Sequence, residues 1–239
     1  MILPSIGIFK SRGEKFRKQV SSRDSSTIAA FSPNRLLKSK RKILKHRVTV
    51  GWVPMRIENR TLLGALFFVG AAQFILVIVI AEARYPGGYS AATNALSNLG
   101  VGQAALLFSA WIAVCGALAF IVSLLGRRTL GTGLAATLAV AGACAVGVGL
   151  FPVRTSAPHE IFAIAAYVFV AVSVITSYRV LRPPLSHFSV GLGIIALVAL
   201  VLLVTGHWLG IGKGGMERLT AYPILLWALG FGGALIGAK

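Results

Sequence analysis

The sequence predicts an all-α fold, a polytopic membrane bundle of six transmembrane helices with both termini in the cytoplasm. Three observations predict it. The first is composition: of 239 residues, 56% are hydrophobic and only 13% are charged. A soluble domain carries about 25% charged residues, so this chain cannot coat a water-facing surface, and the bilayer must be its solvent. The second is that the apolar residues fall into six long uncharged runs. The third is an uneven distribution of Lys and Arg between the segments joining those runs.

The runs are Leu62 to Ala81, Val101 to Leu125, Leu130 to Phe151, Ile161 to Tyr178, Phe188 to Leu209 and Leu219 to Ala238, none with a Lys, Arg, Asp or Glu. Each is about 18 to 25 residues long, enough for a helix to cross about 30 Å of hydrocarbon. In lipid only helices and closed barrels satisfy their own backbone. These runs are continuous rather than alternating, so they are helices.

Orientation follows from the connections. Arg56 and Arg60 before the first span, Arg127 and Arg128, Arg179 and Arg182, and Lys239 fall on one side of the membrane. Arg84, Arg154, Lys213 and Arg218 fall on the other. The positive-inside rule makes the first side cytoplasmic. Tyr85, Tyr89, Trp208 and Tyr222 then lie near the outer interface, where amphipathic rings are favoured. The expected location is the cell membrane.

The net charge of +18 resembles a nucleic-acid signature until it is placed. Residues 1–54 hold 13 of the 24 Lys and Arg with only Glu14 and Asp24 against them, which leaves +11 there and +7 in residues 55–239. The run Lys38 to Arg47 has little to bury and reads as a solvated, disordered tail. Such a tail can lie on anionic inner-leaflet lipid. Alternatively the natural chain starts at Met55, which directly precedes a short basic start and a full span. No nucleic-acid partner is expected. Residues 1–54 also lack the roughly 7- to 15-residue apolar stretch of a cleaved secretory signal. Cys115 and Cys144 lie inside apolar runs and read as small buried side chains.

Two small-residue stripes predict close helix approach. The third run has Ala135, Ala139, Ala143 and Gly147, and the last has Gly233 and Gly237. At four-residue spacing each set shares one helix face. It can serve packing within the monomer or a homo-oligomer seam.

Polar chemistry gathers in the three outer connections, which hold Glu82, Glu160 and Glu217, whereas the two inner connections hold no carboxylate. Glu160 and Glu217 each open a helix in this reading, where a carboxylate offsets the macrodipole. Glu82 ends the first helix, where the dipole disfavours it, so it needs a cation such as Arg84, Arg154 or Arg218. Ser90, Thr93, Asn94, Ser97 and Asn98 form one polar stripe if their segment is helical, with Gly100 as its stop. His159 and His207 fall at the same boundary, but no paired-His or HExxH spacing supports a metal. The GIGKGG segment lacks a phosphate-loop pattern. Its amides and Lys213 either accept an anionic headgroup or belong to a plain loop. The candidate ligand-binding residues are therefore Glu82, Arg84, Tyr89, Ser90, Asn94, Ser97, Asn98, Arg154, His159, Glu160, His207, Lys213, Glu217 and Arg218.

The outer segments carry a family pattern. Tyr85, Pro86, Gly87 and Tyr89 are followed by Asn94, Ser97, Leu99 and Gly100. The GVGLFP segment Gly147 to Pro152 comes next, then His159, and last GGMER, Gly214 to Arg218. On these residues Met55 to Lys239 resembles the prokaryotic membrane family catalogued as domain of unknown function 998. Asn98 departs from it, where an acidic residue is expected. The resemblance implies the six-helix fold and transfers no activity.

Two function classes follow. One binds or modifies a lipid headgroup or small polar ligand at the outer leaflet, with membrane lipid as its partner. The other is a transporter or channel component with an outer vestibule. A translocation path usually needs ionisable groups or broken helices near the midplane. The six uncharged runs lack a Pro near their middles, which favours the first. A purely structural membrane protein would not require the polar clustering.

Overall fold

A computed structural model describes residues 59–155 and 157–237, and the basic segment 1–54 lies outside them. Among the described residues there are seven α-helices and no strand: α1 (Asn59–Ala83), α2 (Ala105–Leu125), α3 (Arg127–Leu130), α4 (Thr132–Leu150), α5 (Ala157–Thr176), α6 (Leu185–Val204) and α7 (Gly212–Gly237). All except the single turn α3 are long and apolar enough to cross a membrane. The chain is a multi-pass membrane protein.

The six long helices pack in chain order, each against the next, and α7 returns to α1 to close a ring. The thinnest seam is between α1 and α2. Side chains such as Leu106, Val79, Leu124 and Val201 are well over half exposed on the outside of this ring. A water-soluble protein would not carry so continuous an apolar exterior. Lipid covers it here.

Inside the ring the apolar core has two parts. Towards the end bearing α3, Leu63, Val122, Leu138, Val174, Trp227 and Phe231 are buried together. Phe67 meets the Trp227 and Phe231 rings edge-on at 5.6 and 5.2 Å. Towards the opposite end, outer by the charge bias, Val77, Ile78, Leu96, Leu99 and Phe108 form the second part. Two polar contacts join helices within the spans. Ser173 donates to Thr137 on α4 at 2.8 Å, and the Trp227 indole N–H donates to Ser177 at 2.9 Å.

Two glycine contacts set the ring's tightest crossings. A Cβ on Gly232 of α7 would lie 2.6 Å from the Gly64 carbonyl oxygen of α1, and one on Gly116 of α2 2.7 Å from that of Gly142 on α4. The expected stripes hold in part: Ala135 and Gly147 are buried, and a Cβ on Gly147 would meet the Phe162 ring of α5. Ala143 is exposed, and Gly233 and Gly237 have no neighbour within 4 Å. Close approach follows where the whole surface interlocks, which four-residue spacing alone does not specify.

The span ends also differ from the apolar runs. The largest shift is at α7, which begins at Gly212 rather than Leu219. Lys213, Glu217 and Arg218 are therefore helical, and Pro223 lies near the middle of the helix. The expectation that the last span lacks ionisable groups and a central Pro does not hold.

Candidate functional site

The first outer connection is not a helical stripe. After α1 it turns through Gly87 and Gly88, both with positive φ. It turns again at Ser90 to Asn94, then forms a short 3-10 helix at Leu96–Gly100. The local polar groups bond one another: the Asn94 side-chain oxygen accepts from the Ser90 N–H at 3.0 Å. Asx-type bonding of this kind competes with a helix. Ser90 and Thr93 are exposed, while Ser97 and Asn98 are half-buried.

This connection lies directly on the start of α7. The Gly214 N–H donates to the Ala92 carbonyl at 2.9 Å. Cβ atoms on Gly212 or Gly214 would collide with the backbone of Ala92 or of Ala91 and Asn94. That is what Gly212 and Gly214 of GIGKGG do: they let two backbones touch.

Arg218 ties the junction together. Its Nη1 donates to the carbonyls of Ala91 at 2.8 Å, Gly214 at 3.0 Å and Asn94 at 3.3 Å. Its Nη2 donates to Glu82 Oε1 at 2.6 Å and to the Tyr89 hydroxyl at 2.7 Å. The guanidinium also lies 5.1 Å from the centre of the Tyr89 ring. The Tyr89 hydroxyl in turn faces the Asn94 and Ala95 carbonyls at 3.2 and 3.1 Å. Burial raises the Tyr89 phenol above its ordinary pKa, and the Arg218 hydrogen bond partly offsets this. Of the three cations considered for Glu82, Arg218 is the partner, and Arg84 and Arg154 are exposed.

Glu217 is the neighbour of Arg218 but points elsewhere, because successive helical residues are turned by about 100°. It is 7% exposed. It lies within α7 rather than in its first turn, so it is not there to offset the helix dipole. Its oxygens accept from the Ser97 N–H at 3.2 Å and the Ser97 hydroxyl at 3.4 Å.

Glu217 lines an apolar cavity of about 240 Å³ that runs inside the ring between α1, α2, α4, α5 and α7. Along α2 the cavity wall extends from Phe108 to Val122, about 21 Å at 1.5 Å per residue. Ser97, Ser109, His159 and Tyr167 join Glu217 on its wall, and the rest is nearly all apolar. His159 is buried, and its Nδ1 contacts the Phe151 carbonyl at 2.8 Å. A carbonyl only accepts, so Nδ1 carries the proton and Nε2 of the neutral ring is an acceptor.

The candidate residues thus separate into two groups and a remainder. Glu82, Tyr89, Asn94 and Arg218 form the junction, while Ser97, His159 and Glu217 belong to the cavity. Glu160 lies in the first turn of α5 as expected and is exposed. Lys213 is exposed one turn before Glu217, and His207 is exposed with its ring bonded to Thr205 at 3.1 Å. Asn98 uses its backbone carbonyl to accept from Val101. None of these four lines the cavity. Among the described residues no three His, Cys, Asp or Glu are grouped to hold a metal.

Tyr167 and Ser109 escaped the sequence reading because they lie inside apolar runs. A tyrosine deep within a span was the available signal. A helical side chain leans towards its helix N-terminus, which directs Tyr167 towards the outer end.

A family described as protein of unknown function (DUF998) matches residues 68–234. The chain belongs to this DUF998 family. The match takes in the junction and all of the cavity wall except Leu66 and Phe67. No curated protein and no solved structure matches the chain.

Proposed function

We propose that this protein binds a single-chain amphiphile of the membrane, with the tail inside the bundle and the head at the outer end. The observation that carries this is the cavity: long, narrow, apolar along its length, with its few polar groups towards one end. It exceeds the roughly 150 Å³ that suffices for an apolar cavity to hold benzene. Ligand sites are commonly mostly apolar with a few placed polar groups. A carboxylate within a membrane helix is expensive unless it has a task, which supports a site at Glu217. On the charge bias, the bundle sits in the cell membrane with this end outward.

Trp227 lines the far part of the cavity and serves as the reporter. Dodecanol carrying a nitroxide at its tail end should quench Trp227 saturably in the full chain held in phosphatidylcholine nanodiscs. Trp227→Phe supplies the background. Ala228→Phe, which puts a ring into the same part of the cavity, should abolish the saturable component. Quenching that rises linearly and equally in both proteins would overturn the reading.

A second reading is favoured by Glu217, Arg218 and Pro223 within α7. Ionisable groups within a span, and a Pro near its middle, are features found in translocation paths. In that case solute flux into proteoliposomes should exceed that into empty vesicles and fall with Glu217→Gln.

A further inference from the structure

The head end of the cavity has a definite chemical sense. Its polar wall is rich in acceptors: the Glu217 carboxylate and, from the tautomer fixed by Phe151, the second nitrogen of His159. A carboxylate offers about four lone-pair positions, and Ser97 occupies one on each oxygen. Glu217 therefore retains accepting capacity. The Ser97 hydroxyl is spent on Glu217, so it offers its lone pairs rather than its proton. Ser109 and Tyr167 are hydroxyls that can adapt to either role.

The nearby cations do not alter this sense. Among the described residues no Lys or Arg lines the cavity. Arg218 directs its five contacts to Glu82, Tyr89, Ala91, Asn94 and Gly214, all outside the cavity wall. Lys213 and Arg154 are exposed at the surface. A phosphate or carboxylate head would meet the Glu217 carboxyl group and further lone pairs, with no cation among the described residues on the cavity wall to repay the lost water. In a poorly hydrated place that repulsion is not screened.

We infer that the head of the bound amphiphile donates hydrogen bonds and carries no negative charge, as a long-chain alcohol or amine does. This rests on the amphiphile reading above and narrows it to a ligand class. Glu217 is the residue that selects the head, and His159 supports it as a second acceptor. The Arg218 junction holds Ser97 and α7 in place without touching the head.

Three competitors with one tail separate the possibilities: dodecylamine, dodecanol and dodecanoate, each compared at equal mole fraction in the nanodisc membrane. They displace the nitroxide-tailed dodecanol from the full chain. Dodecylamine and dodecanol should compete at mole fractions at least about tenfold lower than dodecanoate. Glu217→Gln should remove the advantage of the amine over the alcohol and shrink the penalty on dodecanoate. His159→Gln should weaken alcohol and amine together by a few fold. Equal competition by all three, or preference for dodecanoate, overturns this inference while leaving tail binding intact. No saturable quenching to displace would instead defeat the amphiphile reading itself. The wild-type comparison decides the matter even if a variant does not fold.

Discussion

The two ends of the bundle use arginine in opposite ways. At the inner end Arg127, Arg128, Arg179 and Arg182 are all exposed, and Arg179 meets just the adjacent Tyr178 among the described residues, its hydroxyl at 3.2 Å and its ring centre at 5.6 Å. At the outer end Arg218 is 9% exposed and donates to five groups from three segments of the chain. The inner charges matter by their number and side, through the positive-inside rule. The outer charge matters by its geometry. A loop charge tells which way a membrane protein faces, and a buried charge tells where its parts are locked together.

That contrast can be broken most directly at Arg218. Arg218→Ala strands Glu82 and the carbonyls it holds. It should cost about 3 kcal/mol, the lower end for breaking a buried pair, because the Glu82 side chain keeps 28% exposure. Unfolding in detergent measures it. In a double-mutant cycle with Glu82→Gln, coupling should exceed about 1 kcal/mol, well beyond additivity error. Coupling near zero would reduce the junction to a surface contact.

A smaller effect sharpens the same comparison with glycine. Gly214→Ala drives a Cβ into the backbone of Ala91 and Asn94, an overpacking that should cost about 1–3 kcal/mol. At the opposite end Gly133 of α4 has nothing within 4 Å. Gly133→Ala should be neutral or stabilising by up to about 1 kcal/mol, since Ala is the better helix former. Thermal melts of the two variants side by side would show the asymmetry, and equal losses would remove it.

The smallest effect belongs to the inner arginines. Arg127→Ala and Arg128→Ala should each change stability by less than about 0.5 kcal/mol, as surface substitutions do. A loss comparable to that of Arg218→Ala would mean that the inner end is also held by its charges.

The number and course of the spans were legible because they follow from burial in lipid, which acts on every residue of a run. The start of α7 was not. Reading it from apolar windows stops at the first charge, whereas Arg218 is satisfied by partners more than 120 residues away and continues the helix. Glu82 was legible as a carboxylate in need of a cation, since its place at a helix end is a local fact. Which cation was a matter of tertiary geometry. The serine–asparagine segment would make one polar stripe only as a helix, but the Asn94 side-chain oxygen accepts from the Ser90 N–H and the segment forms turns. The cavity was invisible because it is a space between five helices, lined largely by Ala, Leu, Val and Gly that look like ordinary span residues.

The Glu82–Arg218 bond also bears on how the protein is made. The two residues are 136 positions apart. At about 5–20 residues per second of synthesis, the carboxylate ending α1 is on the membrane for on the order of 10 s before its arginine exists. During that interval α1 through α6 can assemble only as an open crescent. The ring closes when the last helix emerges from the ribosome and enters the bilayer. The chain's final helix is thus its keystone, and a ribosome stalled before Gly212 leaves a membrane protein with an unclosed wall and a stranded charge.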